Sequence, residues 1–539
     1  MGTISRNGNG SFVSAAFVLG VASLVSRMVG LLRERVFTTT FGAGDTFDAF
    51  VAAFRIPDAI FNLVVIGALS AAFIPLFTKK MVKGEKGEKE AFLFASSILN
   101  VIVIAVALFA LLYAIVAPWL VPLITPGFTG EKLVLTVMLS RIMALQPILL
   151  AGSFVISGVL NSYKRFTAYA LAPIFYNIGI IFGVVYLVPA VGGAGLGWGV
   201  VLGAILHVLV QVPSFLKVGF RWQPLLVSSW RDVRALWSMM LPRVFGLAAQ
   251  QVNLLTVTVL GSGLLAGSIA AFHLANNIQF VPIGIFGLAF AQAVFPTLAE
   301  QVARGQQTEF RNTLTKTFRY VLWLVIPVSV FFFLLRAQIV RVLFGDGAFD
   351  WEDTIMTFET FGALTVSIFA QATVPLLTRA FYVQQDTKTP VIISILSIAL
   401  NVGLALWLSP ILGVKGLAIA FSASAIFNLL LLLGTLHWRL HGFNDKEVLF
   451  SVARISAATL LGGVALQFLK TPVALLVNMQ KFWGIATQLG VTFIAGAVVY
   501  AVACYVMRSP ELAVLRKYAP RRFKLKAGVE TPRFGGLLE

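Results

Sequence analysis

Long apolar runs recur along almost the whole chain, separated by short polar connections. A helical run of about 20 apolar residues spans the hydrocarbon core of a bilayer, and these runs are continuous rather than alternating like barrel strands. We place fourteen predicted spans at 11–36, 46–77, 90–117, 132–160, 166–189, 194–215, 232–262, 265–299, 310–335, 354–382, 389–410, 415–438, 449–469 and 482–507. The pattern therefore predicts an all-α polytopic membrane protein.

Composition agrees with this class. Of the 539 residues, 58% are hydrophobic and only 12% are charged, which is far too apolar for a soluble globular protein of this length. The only cysteine, Cys504, lies in the last span, so a disulfide framework and a thiolate metal cluster are both excluded. The first span is longer than a signal-peptide core and has no clear small-residue cleavage site, so we expect a retained helix.

The net charge of +19 follows the predicted topology. Lys and Arg concentrate in the even-numbered connections and in the C-terminal tail, whereas the connections VGGAG and GSGLLAGS after spans 5 and 7 carry no charge. By the positive-inside rule, both termini are expected in the cytoplasm. Because the basic residues are spread over short loops, they do not indicate a nucleic-acid partner.

The chain contains an internal repeat. AAFIPLFTKKMVKGE, from Ala71, aligns with QAVFPTLAEQVARGQ, from Gln292, at an offset of 221 residues. A weaker echo pairs YNIG with LNVG and GGAGL with GVKGL, and chance similarity between apolar helices remains an alternative for it. Spans 1–6 and 7–12 then form two parallel six-helix lobes, related by a pseudo-two-fold axis along the membrane normal, with spans 13 and 14 outside the repeat. The predicted divisions are 1–220, 221–440, 441–510 and a basic tail, 511–539.

Charged residues lie inside the first span. An ionisable side chain at the centre of a spanning helix costs about 2.5 to 3.5 kcal/mol, so it normally faces a partner or a wet cavity. On a helical wheel Arg27, Arg33 and Glu34 fall within an arc of roughly 120°. One face of this span is therefore polar.

The second span carries a similar stripe. Asp48, Arg55 and Asn62 recur every seven positions and lie nearly in line, with Asp58 beside them. Prolines inside the spans predict bent helices, which suit two lobes that alternate access to a central cavity. We expect the two polar stripes to line one such cavity.

A simpler interpretation stays open for several of these charges. Arg33 and Glu34 could snorkel at the end of span 1, and Asp48 could cap span 2. Arg27 and Arg55 lie one to two turns deeper in their apolar segments, which favours a cavity role for them.

The second lobe has fewer charges. Arg243 and Gln250 lie seven residues apart in span 7, and span 8 carries His273, Asn276, Asn277 and Gln279. Arg243 could snorkel, and interhelical hydrogen bonds are as good an explanation for the amides as substrate contact.

Two residues are weak candidates for a coupling cation: Glu359, which could equally be paired, and Asn401. No phosphate-binding loop, nucleophile with a base, or metal-ligand spacing of the four histidines is present. The sequence thus predicts no cofactor, no metal and no enzymatic activity.

Several motifs carry a family resemblance. SRMVGLLRE, FGAGDTFDAF, FRIPD, GALSAAFIPLF, ITPGF, LNSYKRF and LTRAFYVQQDTKTP follow one another along essentially the whole chain. Together they resemble the MurJ (MviN) family of lipid II flippases, within the multidrug/oligosaccharidyl-lipid/polysaccharide exporter superfamily.

The resemblance implies a protein of the bacterial cytoplasmic membrane that moves the undecaprenyl-pyrophosphate-linked peptidoglycan precursor from the inner to the outer leaflet. It implies a cationic cavity for the head group and a groove for the lipid tail formed with spans 13 and 14. The family's arginines in the first span match Arg27 and Arg33, its acidic partner matches Glu34, and its second-span aspartate matches Asp48.

The chain departs from the family pattern at two places. Phe61, Asn62 and Ile66 stand where the family often has an Arg-Arg pair followed by Glu-Gly, and Asn276 and Asn277 stand where many members have Asp-Arg. We expect Arg55 and Arg243 to supply the missing positive charge.

Other functions remain open from the sequence. One is a flippase for another polyprenyl-linked oligosaccharide. Another is a cation-coupled exporter of small amphipathic cations, which an arginine-lined cavity would disfavour. A third is a membrane scaffold without transport activity, whose partners would be other wall-synthesis proteins.

Overall fold

The computed structural model describes residues 8–82, 84–224, 234 and 251–512. Over these residues the chain is helical and contains no β-strand. Arg243 and Gln250 lie outside the described residues, as do most of span 7 and the tail from 513. The predicted divisions at 220 and 440 stay a prediction.

The helices follow the predicted spans in order. They are α1 Gly8–Phe41, α2 Asp45–Ile60, α3 Gly67–Met81, α4 Glu85–Ile124, α5 Gly130–Met143, α6 Leu145–Ser162, α7 Phe166–Phe182, α8 Val188–Val191, α9 Ala194–Leu209, α10 Val212–Leu216, α11 Gln251–Gly261, α12 Ser268–Pro282, α13 Ala289–Ala303, α14 Gln307–Leu334, α15 Arg336–Phe344, α16 Trp351–Thr365, α17 Ile368–Val383, α18 Lys388–Leu412, α19 Val414–Arg439, α20 Asp445–Leu476 and α21 Phe482–Val506. Among the described residues, three π-helical turns join helices within a span: Phe61–Ile66, Gly183–Leu187 and Ile283–Leu288.

Among the described residues, ten helical segments are long and apolar enough to cross a membrane. The number is eleven if the α16–α17 pair, bent by 44°, counts as one span. Each predicted span is helical over most of its described residues, with turns inside some spans, as at 144, 210–211 and 366–367, and the count of fourteen stays a prediction. Several helices run past the predicted ends: α4 covers Glu85–Ile124 where 90–117 was expected. The short helix α15 was not predicted, because it is too short to produce a membrane-length apolar run.

The internal repeat is visible in the backbone. The π-helical turns Phe61–Ile66 and Ile283–Leu288 occupy equivalent places in spans 2 and 8. Lys164 and Gln385 both have positive φ, 57° and 61°, and they are separated by the same 221 residues as the aligned motifs. The π turns recur at an offset of 222 residues and the left-handed residues at 221. These matching irregularities support two lobes built on one plan, because π turns and left-handed non-glycine residues are uncommon.

The two lobes meet at one end of the bundle. There the Ala43 amide donates to Asp353 Oδ2 over 2.8 Å, and the Ala348 amide donates to the Thr39 carbonyl over 2.9 Å. We call this the joined end. Its connections, which the charge pattern predicts to face outward, are 42–44, 125–129, 262–267 and 345–350.

The helices α20 and α21 pack on the second lobe through α14. Tyr500 donates to the Trp323 carbonyl over 2.7 Å, and after α21 the chain turns back so that Glu511 pairs with Arg319 at 2.7 Å. Burial alone would raise the pKa of the Glu511 carboxyl, but hydrogen bonds from Ser451 and from other donors around it outweigh burial and lower it.

At the opposite end of the bundle, Asp386 caps α18. Its Oδ1 accepts hydrogen bonds from the amides of Lys388 and Thr389, each over 3.0 Å, and its other oxygen contacts the Thr389 hydroxyl and the Arg439 guanidinium. Burial would raise the pKa of Asp386, but these hydrogen bonds and the positive charge of Arg439 lower it to about 2. This carboxylate therefore ties the start of α18 to the end of α19.

We expect Asp386→Asn to lower the free energy of unfolding at pH 7 by about 1 to 2 kcal/mol, since asparagine keeps the cap but loses the charge. A carboxylate with a lowered pKa contributes stability above its unfolded pKa of about 4, and this contribution is lost as pH falls toward 2. The gap between variant and wild type should therefore narrow below pH 4 and become small only as pH approaches 2, in thermal unfolding followed in detergent.

The control is Glu300→Gln, which removes an exposed pair with Arg304 and should change stability by less than about 0.5 kcal/mol. A gap for Asp386→Asn that stays constant down to pH 2.5 would contradict the role given to the charge.

Candidate functional site

Arg33 and Glu34 form the centre of the site. Arg33 lies on α1 and donates from Nη1 to Asn177 Oδ1 on α7 over 3.0 Å, while its Nη2 contacts Glu34 Oε1. Glu34 is only 3% exposed. A buried carboxylate in a membrane helix needs a cation or strong donors, and this arrangement supplies them.

The second lobe completes the surroundings of Glu34. His273 Nε2 lies 3.4 Å and Asn277 Nδ2 lies 3.2 Å from the same oxygen, Glu34 Oε1. His273 and Asn277 are four residues apart on α12, so both side chains point from one face of that helix. The carboxylate on α1 therefore links the two lobes in the middle of the bundle.

Further polar groups surround this contact. Asp58 lies within electrostatic range of His273 and accepts a hydrogen bond from Asn62 Nδ2 over 2.8 Å. Tyr176, next to Asn177, lies within range of both Arg33 and Asp58. We call Arg33, Glu34, Asp58, Tyr176, Asn177, His273 and Asn277 the central cluster.

The central cluster is open in part. The side chains of Arg33 and His273 are 21% and 23% exposed, whereas that of Glu34 is 4% exposed. An approaching anion would therefore meet a cation and an imidazole before it met the carboxylate.

Two other arginines reach from the first lobe toward the second. Arg55 Nε donates to Thr258 Oγ1 on α11 over 3.0 Å. Arg27 lies against the π-helical turn of the second lobe: a Cβ atom built on Gly284 would lie 2.6 Å from Arg27 Nη2. A side chain at position 284 would displace this guanidinium, so glycine at this position leaves the space that the Arg27 guanidinium occupies.

Asp48 lies at the joined end, not in the central cluster. It is 1% exposed and accepts hydrogen bonds from the amides of Gly267 and Ala270, each over 2.8 Å, and from Lys132 Nζ over 2.9 Å. One interpretation of the sequence expected Asp48 to cap its own span. The carboxylate instead caps α12 of the other lobe. An anion at a helix N-terminus is stabilised by the free amides there and by the helix dipole.

The close approach at this cap requires glycine. Gly267 has φ of 84°, and a Cβ atom there would lie 1.5 Å from the Ala43 carbonyl oxygen. Only glycine allows the α12 terminus to meet the 42–44 connection so closely.

The structure does not bring Asn276 to the central cluster. Its Oδ1 accepts from Gln279 Nε2 over 2.9 Å, and Gln279 Oε1 accepts from Gln371 on α17 over 3.2 Å. Asn276 lies about 100° around α12 from Asn277. The bond of Asn276 stays within α12, whereas Asn277 and Gln279 make interhelical hydrogen bonds, to Glu34 and Gln371.

The candidates for a coupling cation have other partners. Glu359 is not a lone acid: its Oε2 lies 3.7 Å from Lys415 Nζ, and both side chains are 44% exposed. Asn401 donates to Asn253 Oδ1 over 2.9 Å. No group of three His, Cys, Asp or Glu side chains that could hold a metal occurs within the described ranges.

Sequence reasoning missed several members of the site. Asn177 and Tyr176 were recognised only as part of the YNIG repeat, and Lys132 lies at the start of an apolar span, where a cation is ordinary. His273 was noted on span 8 without a partner. The one available signal was polarity inside apolar spans, which cannot show which side chains meet.

A family model described as "Lipid II flippase MurJ" matches residues 37–487. A probable lipid II flippase MurJ of Vibrio cholerae is 30% identical over 532 residues, covering 96% of this chain and 98% of that protein. Another, of Rhizobium tropici, is 28% identical over 526 residues, covering 95% and 97%.

Solved structures share the fold. A lipid II flippase MurJ in an inward closed conformation matches with a TM-score of 0.75 and 22% identity, covering 93% of this chain and all of that one. An inward-facing multidrug resistance MATE family transporter of the MOP superfamily matches with a TM-score of 0.62 and 14% identity, covering 82% and 98%. With the family model matching most of its length, the chain belongs to the lipid II flippase MurJ family.

Proposed function

We propose that the chain is a flippase for lipid II, the undecaprenyl-pyrophosphate-linked peptidoglycan precursor, and moves it from the inner to the outer leaflet of the bacterial cytoplasmic membrane. The observation that carries the proposal is a partly exposed arginine, Arg33, held by Asn177 and Glu34 between two lobes of a MurJ family fold. With both termini cytoplasmic, the joined end faces outward and the head group enters from the cytoplasm.

The chemistry of the head group fits this site. A pyrophosphate diester carries two negative charges, and a guanidinium binds phosphate oxygens through two parallel hydrogen bonds. Arg27 and Arg33 lie six residues apart on α1, about 9 Å along the helix axis. To bind phosphate, Arg33 exchanges the carboxylate of Glu34 for the ligand, and Arg27 and Arg55 supply further positive charge.

The lipid tail needs an apolar surface beside the site. We place it along α20 and α21, where large apolar side chains such as Phe468 and Leu475 are 77% and 84% exposed. The pair is attached to the second lobe through α14, so a tail lying there stays outside the polar centre while the head group crosses.

Alternating access requires the joined end to open. Asp48 and Lys132 of the first lobe hold α12 of the second lobe through the Gly267 and Ala270 amides, and these contacts must break before a head group can leave outward. The carboxylate at position 48 is therefore a latch for the inward-facing state.

We expect the double variant Arg27→Ala, Arg33→Ala to reduce export of lipid II at least tenfold, since each charge-assisted hydrogen bond contributes about 1.5 to 3 kcal/mol. The measurement is lipid II in the outer leaflet of cells depleted of their own flippase and expressing this chain. Arg304→Ala, an exposed arginine paired with Glu300, serves as the matched control and should export normally. Equal export by the double variant and wild type would show that the two arginines do not take part in transport. If variants in the loops then abolished function instead, a scaffold role would be favoured.

We expect Asp48→Ala to increase the population open at the joined end at least tenfold, because removal of one partner from a buried ion pair costs about 3 to 5 kcal/mol. Lys132→Ala should act in the same direction. Asp346→Asn is the control: it removes an exposed carboxylate at the same end, 60% exposed and paired with Arg35, and should have little effect.

The populations can be measured as spin-label distances across the joined end. Labels at Thr40→Cys and Glu352→Cys, both exposed positions, in a Cys504→Ser background report one distance per molecule. An unchanged distance distribution in both latch variants would show that Asp48 does not hold this end closed.

A further inference from the structure

His273 Nε2 lies between a donor and an acceptor. Asn277 Nδ2 is 3.1 Å away and can only donate, while Glu34 Oε1 is 3.4 Å away and can only accept when ionised. A bare Nε2 accepts from Asn277, and a protonated Nε2 donates to Glu34. Protonation at this one atom therefore exchanges a bond within α12 for a bond to α1 of the other lobe.

The charged groups that face His273 come from α1 and α2. Glu34 is in contact, Asp58 lies within electrostatic range, and the Phe47 ring packs edge-on at 6.1 Å between centroids. Arg33, which opposes a second positive charge, is itself paired with Glu34, and Arg55 of α2 lies within electrostatic range of Asp58. Two carboxylates and two arginines thus set the electrostatics of this imidazole.

The other helices packed against α12 bring no further charge to His273 among the described contacts. On α16, Asp353 accepts a backbone amide at the joined end, and Glu359 pairs with Lys415 of α19. The contact from α17 is the Gln371 amide.

We propose that His273 binds a proton that the protein takes up together with the anionic head group. The inference rests on the proposed function, in which phosphate draws Arg33 away from Glu34. That exchange would leave a buried carboxylate without a cation, at a cost of several kcal/mol. A protonated His273, already beside the same oxygen, replaces the lost charge.

Proton and head group then bind cooperatively. Each strengthens the other by the same factor, because the coupling free energy between two sites is reciprocal. The side chain of His273 is 23% exposed, so water can deliver the proton. The central cluster accordingly holds a diphosphate and a proton at neighbouring positions.

The test measures binding of farnesyl diphosphate to the purified full chain at pH 6, 7 and 8, for wild type and His273→Gln. Glutamine can donate to Glu34 but cannot take up a proton. The titration of the probe itself is common to both proteins and cancels in their ratio. We expect the ratio of wild-type to variant affinity to fall about fivefold or more from pH 6 to pH 8.

His437→Gln is the matched control. This histidine also contacts a carboxylate, Asp445 at 3.0 Å, but it lies at an exposed end of α19 and should leave the pH dependence of wild type intact. A second variant, His273→Asn, repeats the test at the same position in case the glutamine variant fails to fold.

Imidazole ¹⁵N spectra provide a readout that does not depend on affinity. At pH 7 the protonated fraction of His273 should rise when the probe is added, and Glu34→Gln should abolish that rise.

If His273→Gln and wild type show the same pH dependence of binding while Arg33→Ala no longer binds the probe, the proton site is refuted and the head-group site stands. If Arg33→Ala binds the probe as tightly as wild type, the head-group site fails and the coupled proton with it.

Discussion

The cost of an unpaired charge in the membrane interior organises this molecule. Glu34 and Asp48 are almost fully buried, and each receives hydrogen bonds from both lobes. Since neither carboxylate could stay ionised there alone, the contacts between the lobes are as much a consequence of charge burial as of apolar packing. A transporter gains from this arrangement, because a polar contact between lobes can be exchanged for a contact with an anionic substrate.

The helix α12 connects the two contacts. Its first turn is capped by Asp48, and His273 lies only three residues beyond the capped amide of Ala270, about 4.5 Å along the axis. A helix turn is stiff, so movement of α12 away from α2 at the joined end also changes the distance between His273 and Glu34. One rigid helix therefore carries both the amides that Asp48 caps and the imidazole that contacts Glu34, so a movement at one contact changes the geometry of the other.

Irregular backbone leaves room for the Arg27 guanidinium. The π-helical turn Ile283–Leu288 brings Gly284 against the Arg27 guanidinium and Gly287 against the backbone of Ala372, where a side chain would collide. The equivalent turn in the first lobe, Phe61–Ile66, contains Asn62 and follows Arg55 and Asp58. In both lobes the interrupted helix thus lies next to the polar residues, as π turns often do at functional sites.

The sequence by itself determined the helical membrane class, the repeat and the polar face of α1, because these depend on local hydropathy and on periodicity. Which side chains meet was decided only by the tertiary structure: Glu34 and His273 are 239 residues apart, and Asp48 and Ala270 are 222 apart. The sequence shows that Asn276 and Asn277 are both polar, but only the tertiary structure shows that Asn277 contacts Glu34 on α1 while Asn276 is bonded to Gln279 within α12. Periodicity describes one helix at a time, whereas the partner of a buried charge depends on how separate helices are placed against each other.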